Sequence, residues 1–270
     1  MAETGNIQRQ RLTICIGDNT LSFTQPNTDA EGLPILFEPY VVKSGISMAA
    51  NMRAALKEIK PAFDNPQRCR VLIDTPVLMM PMELFEEQDK DIFYTHAYPL
   101  HHQDVVLFNV LPELKAVVLF AINKDLKLVV DDNFQDASFI CAMAPVWRYL
   151  HQRSFSGPRN KLYAYFREHR LDIFSFNQNH FKYCNSFETS HGHDALYYLL
   201  YVWKQLQLSP EHDEMHIVGD IPDRDWLFAE LRKYLQKAYI INPSADFNRV
   251  PVTNIKGMPY HLLTLFVKGR

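Results

Sequence analysis

Two stretches far apart in the chain run through the same order of elements, and that order restricts the fold more than any single residue does. The first opens with two short runs, RLTICIG from Arg11 and LSFTQ from Leu21, around a turn at Gly17–Thr20. PILFEPYVVK, Pro34–Lys43, reads as a third strand. Met52, Ala55, Leu56 and Ile59 then recur at helical spacing before Pro61, and CRVLID, Cys69–Asp74, returns to strand. The second stretch opens with KLYAYFRE from Lys161, LDIFSFN from Leu171 and HFKYCNSF from His180, three strands joined by tight turns at Glu168–Arg170 and Gln178–Asn179. Leu196, Leu199, Leu200, Trp203 and Leu206 form one helical stripe, and MHIVG is a strand. Leu227, Leu231, Tyr234, Leu235 and Ala238 form a second stripe. It is opened by Pro222 and by Asp223 and Asp225, whose charges suit a helix N-terminus. AYIIN is a strand and PYHLLTLFV a short last helix. The expected order in each half is β-β-β-α-β-α-β-α. An antiparallel meander extended by crossover helices makes a mixed sheet with helices on both faces.

The first half carries extra elements. Pro81 suits the first turn of a short helix through Glu87, DIFYTHAYP from Asp91 reads as extended, and DVVLFNV and KAVVLFAI read as a hairpin through Leu111–Leu114. Asn123 can cap a helix to about Asp132, because its side chain can accept from first-turn amides. ASFICAM is a strand and PVWRYLHQ a helix, followed by a linker at Arg153–Asn160. The expected organisation is a first domain over 1–155 with an insertion near 75–114, and a second domain over 156–270.

Composition narrows the class of function. With 47% apolar and 22% charged residues the chain can build sizeable globular cores, and its net charge of −3, without local basic runs, gives no footing for nucleic acid or an anionic membrane. No apolar run approaches the roughly 20 residues needed to span a bilayer, so no membrane insertion is expected. The polar N-terminus, MAETGNIQRQR, lacks the apolar core of a secretion signal. Cys15, Cys69, Cys141 and Cys184 are far apart in strand-like runs with no CxxC pair, which suits buried reduced thiols of a cytoplasmic protein. The aromatic residues lack interleaved Lys and Arg, so they suit cores better than base stacking.

The two-copy order resembles the actin-like ATPase fold, built from paired ribonuclease-H-like domains, in the versions found in bacterial pilus-assembly, secretion and cell-division proteins. More narrowly, RVLIDTPVLMMPMELF followed by AVVLFAINKDL resembles an uncharacterised bacterial family, a domain of unknown function from Bacteroidetes. In that family a short extended run before P-x-E-L-F and a later strand-then-helix recur. The family brings a fold and no established activity.

The resemblance implies where a nucleotide would sit. Active actin-like proteins hold ATP between the domains, with an Asp on the first strand and a glycine turn for the phosphates. Aligning Gly17 with that glycine puts Cys15 at the Asp position, with Asp18, Asn19 and Thr20 in the turn. A thiol cannot order hydrated Mg²⁺, which prefers hard oxygen ligands. The second hairpin, AYFREHRLDIF, has no glycine and carries Tyr163 and Tyr165 where the carboxylate belongs. Arg167 there could meet an anion, or it is a solvated turn charge. The adenine-side motif would fall at Gly219 in HIVGDIPDRDWL, where Asp220, Asp223 and Asp225 disfavour phosphate; the plainer reading is a strand-to-helix turn. Gly17, Asp18, Asn19, Thr20, Arg167 and Gly219 are thus the positions of a degenerate nucleotide cleft, with ATP and Mg²⁺ not favoured and no catalytic residue assigned.

Other constellations are weaker. SHGHD, Ser190–Asp194, places His191 and His193 beside Asp194, a possible zinc or iron set. The i, i+2 pair diverges on a helix, however, and the intervening glycine suggests a helix start. HAYPLHH reads as a surface loop, and neither a G-x-S-x-G elbow nor a P-loop is present. The expected function is a non-catalytic scaffold with a protein partner; the alternative is a nucleotide-binding protein or a weak ATPase or kinase-like enzyme. The methionines of LMMPMELF either face a partner or pack inside the insertion.

Overall fold

The protein divides into two compact units. One comprises residues up to Met80 with Leu84–Val110 and Val117–Met143, and the other comprises Pro81–Glu83, Leu111–Ala116 and Ala144 onward. In this computed structural model the described residues are 11–27, 35–59, 68–178 and 180–267. Pro34, Pro61, Asn179 and the N-terminal stretch before Arg11 lie outside them.

The first unit begins with β1 (Arg11–Ile16), β2 (Leu21–Pro26), β3 (Ile35–Tyr40), α1 (Met48–Ile59) and β4 (Arg68–Ile73). It continues with β5 (Val77–Pro81), α2 (Lys90–Ala97), β6 (Asp104–Leu111), β7 (Ala116–Asn123), α3 (Lys124–Asn133) and β8 (Asp136–Cys141). The main sheet runs β3-β2-β1-β4-β8. β1 pairs antiparallel with β2 and parallel with β4, placing Cys15 between Ser22 and Leu72. Both faces of β1 are covered: Leu12, Ile14 and Ile16 are buried, and so are Thr13 and Cys15. Near-continuous burial is what a strand in mid-sheet requires. α1 packs on α3, with Met52, Ala55 and Leu56 buried on the first helix and Leu126, Val129 and Val130 on the second.

A separate three-stranded sheet, β5-β7-β6, has its own cluster of Tyr94, Val106, Leu119 and Ala121. Two sequence expectations change here. DIFYTHAYP is the helix α2, not an extended run, because Phe93 and Tyr94 pack on that cluster. Pro81 ends β5, and the helix expected through Glu87 is only a 3-10 turn over Met82–Leu84; β5 is a sheet edge, where a missing N–H is tolerated. Leu78 and Met80 pack inward against the cluster, while Met82 and Leu84 are exposed. The LMMPMELF run therefore divides between the two readings.

The second unit holds α4 (Ala144–Ser154), β9 (Lys161–Arg167), β10 (Arg170–Asn177), β11 (His180–Glu188), α5 (Gly192–Gln205) and β12 (Glu214–Gly219). It ends with α6 (Arg224–Tyr234), β13 (Ala238–Ile240), α7 (Pro243–Asp246) and α8 (Tyr260–Val267). Its sheet runs β11-β10-β9-β12-β13, the same topology as the first. On one face Leu162, Ala164, Phe166, Leu171 and Ile173 meet Ala195, Leu199, Val202 and Trp203 of α5, and Leu227 and Leu231 of α6. Each such Leu contributes about 2 kcal/mol of burial. Leu196, Leu200 and Leu206 sit at the rim of that cluster, partly buried. α7, capped by the Asn242 side chain on the Ser244 amide, is an element the hydrophobic pattern did not reveal.

Candidate functional site

A concavity lies in the first unit at the carboxyl ends of the parallel strands β1 and β4. That is where open α/β sheets present ligand sites. The chain leaves β1 through Gly17, whose amide donates to the Thr20 carbonyl at 2.9 Å and closes the turn. β4 continues alongside, the Asp74 amide donating to the Ile16 carbonyl at 2.8 Å. These two strand ends and β7 frame a cavity of about 390 Å³.

The cavity floor is apolar: Ile16 and Ile73 from the main sheet, Ala121 and Ile122 from β7. One wall is aromatic, with Tyr94 and Tyr98 in ring contact at 5.4 Å. Their hydroxyls are committed, Tyr94 donating to the Pro76 carbonyl at 2.9 Å and Tyr98 to the Val77 carbonyl at 3.1 Å. Thr75 also lines the cavity and donates to the Ala121 carbonyl at 3.0 Å. On the rim stand Asp18, His101 and Asp104. The Asp104 carboxylate accepts from the His101 amide at 3.1 Å, which fixes the loop before β6.

α3 begins at this rim. Its Asn123 cap is as the sequence implied, the side chain accepting from the Asp125 amide at 3.0 Å and the Leu126 amide at 3.3 Å. That contact uses up first-turn donors that could otherwise hold an anion. Among the described residues lining the cavity none is Lys or Arg. The recess is apolar and aromatic with acidic residues at its rim, a lining that suits an apolar or cationic group.

Of the cleft positions suggested by the sequence, Gly17 and Asp18 border this cavity. Asn19 and Thr20 are exposed in the turn and do not line it. Cys15, where a metal-ordering carboxylate would stand, is 6% exposed inside the sheet. The buried thiol Cys69 on the neighbouring strand is pushed up to about 12 by burial, with Arg11 opposing, and stays protonated.

The corresponding hairpin of the second unit is filled. All of β9 is buried, including Tyr163 and Tyr165. Arg167 is not a solvated turn charge: it is buried, and its Nε donates to Asp172 at 2.7 Å. Ser186 Oγ donates to the other oxygen of the same carboxylate. The Tyr165 hydroxyl meets His261 Nδ1 at 2.9 Å. Burial drives the His261 imidazole down to about 3, helped by the nearby Arg167 charge, so it is neutral at ordinary pH. Burial also raises the Tyr163 and Tyr260 hydroxyls above their ordinary value.

Gly219 ends β12 with φ +101°, and a Cβ there would stand 1.9 Å from the Phe166 carbonyl oxygen. Packing of β12 against β9 therefore requires this glycine. Asp223 precedes α6 with left-handed backbone and makes no cap bond to its own helix; its carboxylate accepts from the Gly192 amide at 3.0 Å instead. His191 precedes α5, and the ring of His193 lies 4.1 Å from that of Trp226. Among the described residues no three His, Cys, Asp or Glu side chains converge to hold a metal ion.

The profile of a family described as "Protein of unknown function (DUF3822)" matches residues 2–238. The chain belongs to that family. The DUF3822 chain is similar to a Bacteroides thetaiotaomicron protein with actin-like ATPase fold and unknown function: 27% identity, TM-score 0.79, covering 95% of this chain and 100% of that one. The fold is thus the actin-like ATPase fold. More distant likenesses include the PilM–PilN type IV pilus biogenesis complex (14% identity, TM-score 0.49, 87% of this chain and 89% of that one). Another is the cytoplasmic domain of EpsL, an inner-membrane component of the type II secretion system of Vibrio cholerae (10% identity, TM-score 0.44, 79% and 83%). No functionally curated protein matches the chain. No helix among the described residues is long and apolar enough to cross a membrane.

What the sequence did not reveal is the aromatic wall. Tyr94 and Tyr98 are four residues apart, as on one helix face, but Ile92, Phe93 and Thr95 around them favour strand. Reading that segment as extended hid the wall.

Proposed function

We propose that the protein is a non-catalytic interaction protein on an actin-like fold, and that the cavity beside the β1–β2 turn receives a segment of a protein partner. The observation that supports this reading is the lining itself: an apolar floor, an aromatic wall, Asp18 and Asp104 at the rim, and no Lys or Arg among the described lining residues. A partner segment with an apolar side chain followed by a basic one complements that pattern. Phosphoryl transfer needs metal-held phosphates and a placed base, and Cys15 supplies neither. The protein works in the cytoplasm, where its four cysteines, none in a disulfide, stay reduced.

A nucleotide-binding reading has one observation in its favour: Gly17 and Asp18 do border a cavity at the ends of parallel strands. Thermal unfolding of the full chain with ATP, ADP and Mg²⁺ separates the two. A site filled at 100 times its Kd would add about 2.7 kcal/mol of stability. We expect no shift, and a partner recovered from native cells whose capture Tyr98→Ala abolishes. A clear stabilisation lost in Gly17→Val would defeat the interaction reading.

A further inference from the structure

β11 is an edge of the second unit's sheet, with no further strand beyond it among the described residues. It is nine residues long and contains no proline. The edge strand β3 of the first unit, by contrast, carries Pro39. Long edges without proline are templates for another strand.

The residues of β11 say which strand fits. Past a register shift at its start, β11 pairs regularly with β10 from Tyr183 opposite Ser175 to Glu188 opposite Arg170. Tyr183 and Phe187 lie on the α5 side, packed at the margin of the core. Phe187 stacks on Tyr198 at 4.4 Å. Tyr197 and Tyr201 continue that aromatic strip into solvent, stacked at 6.0 Å and 63% and 47% exposed. The Ser186 amide donates to the Asn185 side chain at 2.9 Å, which marks its backbone as directed away from β10. By alternation the backbone of Cys184 points the same way. Lys182 and Glu188, near opposite ends of the strand, are both exposed.

We propose that a second copy of this chain pairs antiparallel with β11 about a two-fold axis through Asn185. Lys182 then faces the partner's Glu188, Tyr183 the partner's Phe187, and Cys184 the partner's Ser186, each contact occurring twice. Residues opposite one another in an antiparallel pair share a face, so the aromatic pairs form on the α5 side, where Tyr197 and Tyr201 wait beside the axis. The outward backbone groups of Cys184 and Ser186 bond to one another across the seam, and the Asn185 side chain gives up the Ser186 amide. Centring the axis on Cys184 instead would set Tyr183 against Asn185 and Lys182 against Ser186, separating both the charges and the rings. Opposite charges and aromatic pairs across strands are favourable, and like charges are not. The partner is therefore this chain itself, and the two sheets join into one.

Sedimentation velocity of the full chain tests the pairing. The expected species has twice the chain mass of 31.5 kDa. Lys182→Glu places like charges opposite each other twice and should weaken the dimer about tenfold, and adding Glu188→Lys should restore it to within about threefold. Asn185→Cys should give a disulfide-linked dimer under mild oxidation, since facing residues in a pair not hydrogen-bonded to each other lie about 4.5 Å apart at Cα, within disulfide reach. A far-UV circular dichroism spectrum like that of wild type and a single cooperative unfolding transition in Lys182→Glu and in reduced Asn185→Cys confirm that each variant is folded. A wild-type chain that stays monomeric at about 100 µM, where any Kd below that value would show, overturns the proposal. So does a dimer indifferent to Lys182→Glu, or one that Asn185→Cys does not cross-link.

Discussion

The β1–β2 and β9–β10 hairpins hold the same place in sheets of the same strand order, and their chemistry differs. The first turns through Gly17 beside a cavity, with Asp18 exposed at its rim. The second turns through Glu168, with φ +50°, and closes over a buried Arg167–Asp172 pair and the Tyr165–His261 contact. Strand order is set by apolar pattern and connection length. What stands at a strand end is set by one or two residues, and those have diverged. Fold therefore carries no activity by itself, and the hollow beside Gly17 is where binding should be sought.

The largest expected difference between the hairpins concerns what their turns hold. Asp172→Ala removes from the interior the carboxylate that accepts from Arg167 Nε and Ser186 Oγ and should cost about 3 kcal/mol of stability. Asn19→Ala, at an exposed position of the other turn, should stay within about 0.5 kcal/mol. Urea unfolding of both variants measures the contrast, and equal losses would break it.

Next comes Gly219→Ala. The new Cβ meets the Phe166 carbonyl in backbone that L-residues avoid, and about 3 kcal/mol should be lost. A loss under about 1 kcal/mol would mean that β12 can move away from β9.

His261 makes the second hairpin sensitive to acid. Its folded value near 3 lies below the ordinary histidine value of 6.5, so the unfolded chain takes up a proton that the folded one refuses. Stability is whole above about pH 6.5 and falls as pH drops toward 3, by about 2 kcal/mol at pH 5. Unfolding curves from pH 7 to 5 should show that slope in wild type and a flatter one in His261→Phe. Equal slopes would show that His261 does not carry it.

A smaller loss than that of His261 belongs to the cavity rim. Asn123→Ala removes the α3 cap and should cost about 1 kcal/mol, read from the unfolding midpoint.

Much of this fold was legible in the sequence. The apolar run RLTICIG before the Gly17 turn marked a strand, and Asn123 marked a helix start. Local chemistry decides such features. α2 was not legible, because its aromatic and β-branched residues favour strand and only packing on the β5-β7-β6 cluster makes it a helix. Arg167 was misread for a related reason. Its partner lies diagonally across the sheet, with Asp172 opposite Tyr165, and a turn charge looks solvated until that register is known. The cavity needed both β7 and α2 in place before it existed, so no single stretch announced it.

The central claim is that the hollow beside Gly17 does not serve nucleotide. Calorimetric titration of the full chain with MgATP tests it most directly. We expect no saturable heat up to about 1 mM, a ceiling corresponding to about −4 kcal/mol of binding. A saturable isotherm with Kd below about 100 µM, about −5.5 kcal/mol, abolished by Gly17→Val, would contradict it.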